Sequence, residues 1–62
     1  MRFFCIKDFE WVKAGQICML VDYHDPYDNR RTVHMWGRQN GHMKDFEIKK
    51  DIFTEYFAFI GF

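Results

Sequence analysis

The chain has 62 residues, of which 48% are hydrophobic and 21% aromatic, and nine Lys and Arg residues balance nine Asp and Glu residues. A chain this short buries only about 60% of the surface that its unfolded form exposes, so residues 1–62 are predicted to form a single domain around one core. The apolar and aromatic content argues against disorder, and the small size leaves little room for a catalytic pocket.

Two strands are predicted in the first part of the chain. Residues 2–7 are apolar on both faces of an extended segment. After a long loop, residues 16–23 alternate in polarity, which is typical of a strand, and Ile17 and Met19 share one of its faces.

The middle of the chain predicts a loop, a strand and a tight hairpin. Residues 25–29, with the sequence DPYDN, combine the residue types that favour turns. Residues 31–36 then form a strand that turns Val33 and Met35 inward. Its outward face carries Thr32, His34 and Trp36. Residues 37–41, with the sequence GRQNG, form the second loop signal, and the pair Asn40-Gly41 within it accepts the positive φ angles that a hairpin requires.

The last part of the chain predicts a strand, a helical turn and a short final strand. Residues 42–48 place Phe46 and Ile48 on one face. The stretch from Lys49 to Glu55 has no alternation and suits one short helical turn, after which residues 56–60 form the last strand. This order predicts an all-β fold, an SH3-like barrel of five strands with one helical turn. The alternative is an α+β fold, in which a three-stranded sheet carries one C-terminal helix.

The cysteines and histidines indicate neither catalysis nor metal binding. Cys5 and Cys18 match no zinc-ligand spacing and are predicted to be small buried hydrophobes. A dyad of Cys18 with His24 or His34 is conceivable, but an enzyme is not expected. The acidic residues Asp22, Asp25 and Asp28 are interpreted as a solvated turn rather than a calcium site. No metal or other cofactor is predicted.

Charge is unevenly distributed along the chain. Residues 29–44 hold four basic residues and no acidic one, so the remainder holds five basic and nine acidic residues. We predict a partner-binding surface on this basic hairpin, because Arg and Trp are common anchors of interfaces. The candidate residues are Tyr27, Arg30, Arg31, Thr32, His34, Trp36, Arg38 and Lys44.

Two kinds of partner compete for this surface. A protein with an acidic surface is favoured, because complementary charge orients an encounter. Single-stranded nucleic acid is the alternative, with basic side chains on phosphates and aromatic rings on bases, but the neutral net charge counts against it.

The aromatic residues exceed what so small a core can enclose. Some must therefore be exposed, and the candidates are Trp11, Tyr27, Trp36, Tyr56 and Phe62. Burial of the apolar carboxyl end, residues 60–62, against that of a second copy would give a homodimer.

The first residues are not predicted to form a signal peptide, because Lys7, Asp8 and Glu10 interrupt the apolar run. No segment approaches the roughly 20 apolar residues needed to cross a bilayer. A cytoplasmic location and no membrane partner are therefore expected.

Short motifs along the chain carry a resemblance. They are CIKDF at residues 5–9, KAGQI at 13–17, FEI at 46–48 and EYF at 55–57. In these the chain resembles small SH3-like single-domain proteins encoded by phages and prophages of Gram-positive bacteria, although Met19 stands where an aromatic residue is common. The resemblance implies a protein that binds and inhibits or modulates a host protein, or counters a host defence, in the host cytoplasm.

Overall fold

The computed structural model describes residues 1–21 and 31–61. It contains five strands and one short helix in the order β1 (Arg2–Cys5), β2 (Ile17–Leu20), β3 (Thr32–Gln39), β4 (His42–Lys49), α1 (Lys50–Tyr56) and β5 (Phe57–Gly61). The predicted loop at residues 25–29 and the end of the predicted second strand lie outside the described residues.

The strands form one antiparallel sheet in the order β4-β3-β2-β1-β5, so the first strand lies between the second and the last. Within the described part of the chain no ladder joins β4 to β5, and the sheet is open. The prediction of a mostly β fold with five strands and one helical turn is confirmed, and the three-stranded alternative is wrong. The helix spans seven residues and begins one residue later than predicted.

The hairpin between β3 and β4 turns at the predicted pair Asn40-Gly41, but its loop is shorter than the predicted residues 37–41, because β3 continues to Gln39. Both residues have positive φ, 53° and 80°, and the strands pair directly from Gln39 and His42 outward. Two positive φ angles give a loop whose twist matches that of the flanking strands, which fixes the register of the whole hairpin.

Alternation along the strands gives the sheet an inner and an outer face. The inner face carries the core: Phe3, Cys5, Cys18, Met35, Phe46, Ile48 and Phe57, each at most 9% exposed. The loop over residues 6–16 and α1 cover this face, where Val12 is fully buried and Phe53 stacks on Phe57. The outer face carries the alternate residues of the same strands. No helix in the described ranges has the length and apolar character that a membrane span requires.

The second strand buries the opposite face from the one that its large residues suggest. Cys18 is fully buried, whereas Ile17 and Met19 are exposed on the outer face. Cys5 is also fully buried and both thiols are free, so the prediction of small buried hydrophobes is confirmed. The large apolar side chains of β2 are therefore available for contact outside the core.

Candidate functional site

Strand β3 brings four of the predicted site residues onto the outer face. They occupy alternate positions of the strand: Thr32, His34, Trp36 and Arg38. Met35 and Gly37, which lie between them in the sequence, are buried, so the predicted outward face of the strand is confirmed. Trp36 is exposed at 43% although it lies in the interior of the sheet face.

Trp36 is part of a contiguous outer apolar patch, which consists of Phe4, Ile17, Met19 and Trp36. Met19 lies directly opposite Trp36 on the neighbouring strand, and Ile17 lies directly opposite Phe4. Ile17 and Met19 are two residues apart on one strand and therefore share a face. The four side chains are 39–46% exposed, so the sheet presents a continuous apolar surface to solvent.

Strand β4 places two carboxylates beside predicted site residues of β3. Asp45 lies opposite Trp36, and Glu47 lies opposite His34. The His34 imidazole is 3.6 Å from the Asp45 carboxylate and 3.9 Å from that of Glu47, contacts that become ion pairs when the imidazole is protonated. The outer face thus mixes both signs of charge, which the distribution along the sequence did not indicate.

Basic residues gather instead at the end of the hairpin next to α1. A basic groove of about 480 Å³ is lined by Arg31, Thr32, Lys49, Lys50 and Asp51. The backbone N–H of Lys50 donates a hydrogen bond of 2.8 Å to the carbonyl of Arg31, which joins the two walls. Three cations against one carboxylate give this groove a preference for anionic groups.

Lys44 is separated from the other predicted site residues. It pairs with the buried Gly37, which places it on the inner side of the sheet. Its ammonium lies 5.3 Å from the centre of the Trp11 ring and donates a hydrogen bond of 3.0 Å to Gln39. The predicted residues Tyr27 and Arg30 lie outside the described residues.

The exposed aromatic residues differ from the predicted ones. Trp36 is exposed as predicted, but Trp11 and Tyr56 are half-buried against Phe46 and Phe9, with ring centres 5.4 and 5.2 Å apart. Phe4 is exposed instead, as is Phe59 on β5. The exposure of Phe4 could have been predicted from the first strand, because this strand is apolar on both faces and only one face can line the core. Phe62 lies outside the described residues.

The cysteines are placed where they cannot act as nucleophiles. Burial raises the pKa of Cys18 from 9.0 to about 11, and the nearby thiol of Cys5 adds to the effect. Burial, together with the charge of Asp8, also raises the pKa of Cys5. Because the thiolate is the reactive form, both thiols are poor nucleophiles at neutral pH. Cys18 and His34 lie on opposite faces of the sheet, so the conceivable dyad between them is wrong.

Across residues 1–21 and 31–61, no three His, Cys, Asp or Glu side chains lie close enough together to hold a metal ion. The predicted turn with Asp22, Asp25 and Asp28 lies outside these ranges. Comparisons with protein families, with curated proteins and with solved structures found no match to this chain.

Proposed function

We propose that this chain is a non-catalytic interaction domain that binds a partner protein through the outer face of its β3–β4 hairpin. The observation that carries the proposal is the exposure of Trp36 within the outer apolar patch. Trp offers a large contact area with few rotatable bonds, which makes it a frequent anchor of protein interfaces. Contiguous apolar surface on a small protein usually marks a site of association.

The charged groups around the patch favour a partner that is both apolar and acidic. Arg38 follows Trp36 on the outer face of β3. Toward the other end of the same strand, Thr32 and its pairing partner Lys49 belong to the basic groove. A partner segment with an apolar side chain would bind the patch, and carboxylates further along the same segment would bind the basic groove. The negative charge of this segment would speed and orient docking.

A protein partner fits the outer face better than a nucleic acid does. The carboxylates of Asp45 and Glu47 lie beside Trp36 and His34, where stacked bases would bring their phosphates. Repulsion between these charges opposes nucleic-acid binding, which depends on phosphate contacts. Fluorescence anisotropy with single- and double-stranded probes at low salt should therefore show no binding at micromolar protein.

The biological setting that we propose is the cytoplasm of a Gram-positive host, in which a phage-encoded protein binds and inhibits or modulates a host protein. The resemblance of the short sequence motifs supports this setting. Two free, buried cysteines are also compatible with a reducing compartment.

We further propose that the sheet is a variant of the SH3-like barrel. Support comes from the strand order, in which β5 pairs with β1 and the short helix precedes β5. Nuclear Overhauser contacts in solution between the edges of β4 and β5 would support closure, and their absence would argue for an open sheet.

The proposed function is tested by affinity capture from host lysate with matched variants. Trp36→Ala combined with Arg38→Ala removes the anchor and its neighbouring cation, and the variant should lose the captured protein while keeping a native circular dichroism spectrum. Lys44→Ala is the control, because Lys44 belongs to the same basic hairpin but lies on the inner side. Equal capture by the Trp36 and Arg38 double variant would contradict the proposal.

A further inference from the structure

Four side chains form one row across the outer face, perpendicular to the strands. Asp45 on β4 lies opposite Trp36 on β3, Trp36 lies opposite Met19 on β2, and Met19 lies opposite Arg2 on β1. Three strand spacings of about 4.8 Å make the row about 14 Å long. The row is thus acidic at one end, apolar in the middle and basic at the other end.

We propose that this row pairs with the same row of a second copy of the chain, in a symmetric face-to-face dimer. A two-fold axis parallel to the strands, between β2 and β3, places the two rows against each other in reverse order. Asp45 then meets Arg2 of the second copy, and Trp36 meets Met19 of the second copy. The row is self-complementary in charge as well as in polarity, which a closed two-fold interface requires.

The neighbouring row on the outer face satisfies the same symmetry. This row lies two residues further along the strands. In it, Met43 on β4 pairs with Arg38 on β3, and Phe4 on β1 pairs with Ile17 on β2. The same axis places Met43 against Phe4 of the second copy and the aliphatic stem of Arg38 against Ile17 of the second copy. Met43 is 53% exposed, so this contact also removes apolar surface from water. Two sheets that pack in this way form a sandwich with a spacing of about 10 Å.

The exposed area suits a reversible dimer. The outer apolar patch and Met43 are 39–53% exposed, which for large side chains of about 200 Å² amounts to about 440 Å² per copy. With the flanking charged residues, the interface reaches the lower end of the range of specific interfaces, about 1,200 Å² in total. We therefore expect dissociation at micromolar concentrations.

The dimer would regulate the face that the proposed function assigns to a partner. A second copy covers Trp36, so a heterologous partner must compete with it. This regulatory step rests on the proposed function, but the dimer itself does not and is tested with the chain alone. A failed dimer test leaves the proposed function standing, and failed partner capture leaves the dimer standing.

The test is charge complementation, measured by sedimentation velocity from low to high micromolar protein. The native chain should dimerise, and Asp45→Arg and Arg2→Glu should each weaken the dimer about tenfold or more, because each variant opposes like charges twice. An equimolar mixture of the two variants should restore the dimer, since each reversed residue then meets a residue of opposite charge. A native chain that stays monomeric, single variants that dimerise normally, or a mixture that stays monomeric would each overturn the proposal.

Two controls separate the interface from folding. Glu10→Arg makes the same change of charge as Asp45→Arg, but on the exposed loop, and should leave the dimer intact. A measurement on the native sequence does not depend on any charge variant folding: dilution should shift the Trp emission to longer wavelength as Trp36 becomes exposed. The shift should disappear in Trp36→Phe. Emission that does not change on dilution across the dissociation range, or a shift that persists in Trp36→Phe, would overturn the proposed interface.

Discussion

Gly37 and Trp11 are in close contact on the inner face of the sheet. A Cβ atom at Gly37 would lie 3.2 Å from Cη2 of the Trp11 ring, and 3.1 and 3.3 Å from side-chain atoms of Gln16 and Cys18. Because the φ angle of Gly37 is not in the left-handed region, space rather than backbone conformation requires glycine here. The Trp11 ring can therefore pack against this part of β3 only because residue 37 has no side chain.

Gly37→Ala should destabilise the domain by about 1 kcal/mol, measured by urea unfolding. Overpacking costs roughly 1–3 kcal/mol, and the replacement of glycine within a strand recovers roughly 0.5–1 kcal/mol of this. In a Trp11→Phe background, which lacks the Cη2 atom, the same substitution should be neutral or slightly stabilising. An equal loss in both backgrounds would show that Trp11 is not the limiting contact.

A second prediction concerns Glu10, which lies in the tight turn between Phe9 and Val12. These two residues exchange backbone hydrogen bonds of 2.8 Å, and Glu10 has a φ of 53°. Residues with a Cβ rarely adopt this conformation, so Glu10→Gly should stabilise the domain by about 0.5–1 kcal/mol. Glu10→Ala is the matched control, because it removes the charge and keeps the Cβ. If both variants are equally stable in urea, the strain at Glu10 is negligible.

Strands β3 and β4 could be predicted from the sequence because only one of their faces suits a core. In β4, Phe46 and Ile48 alternate with Asp45 and Glu47, and the structure follows this pattern. The position of the hairpin turn could also be predicted, since an Asn-Gly pair between two alternating segments is typical of a tight β-hairpin turn.

The inward face of β2 could not be predicted, because both faces are apolar within the observed strand, Ile17–Leu20, and the polar residues lie beyond it. Hydrophobicity favours burial of Ile17 and Met19, yet the structure buries Cys18. At this place the Cys18 sulfur and the Trp11 ring lie 3.3 and 3.2 Å from the Cβ position of Gly37, which leaves room for small side chains only. This contact joins three distant parts of the chain, and no local pattern contains it.

The distribution of charge along the sequence also failed to predict which charged residues share a surface, because this depends on how the strands pair. Residues 29–44 are basic in sequence, but a hairpin alternates its side chains between two faces and brings the next strand alongside. Lys44 is thereby placed on the inner side, and Asp45 is placed beside Trp36. A sum of charges along the chain does not describe a surface until the pairing of strands is known.

A third prediction follows from the burial of Cys18, whose pKa rises from 9.0 to about 11 in the folded chain. Below pH 9.0 the thiol is protonated in the folded and unfolded states alike, and its contribution to stability is fully present. Between pH 9.0 and about 11 only the unfolded state ionises, so stability falls as pH rises and levels off above the folded pKa. The total loss should be about 3 kcal/mol.

Urea unfolding across this pH range, compared with Cys18→Ala, isolates the effect of the thiol. All other ionisable groups are the same in both chains, so their contributions cancel in the difference. The native chain should lose stability faster than the variant as pH rises. Parallel curves would mean that the thiol of Cys18 ionises in the folded chain as readily as in the unfolded one.

The last prediction separates Arg38 from Lys44, two cations of the same hairpin on opposite sides of the sheet. Lys44→Ala removes the contact of the ammonium with the Trp11 ring and should lower stability by about 0.5 kcal/mol, while partner capture stays unchanged. Arg38→Ala should do the reverse, because the side chain of Arg38 is exposed beside Trp36. Thermal unfolding and quantitative capture on the same pair of variants measure both effects. If Lys44→Ala lowered capture as much as Arg38→Ala, the partner would have to contact the inner side, and the outer face would be the wrong surface.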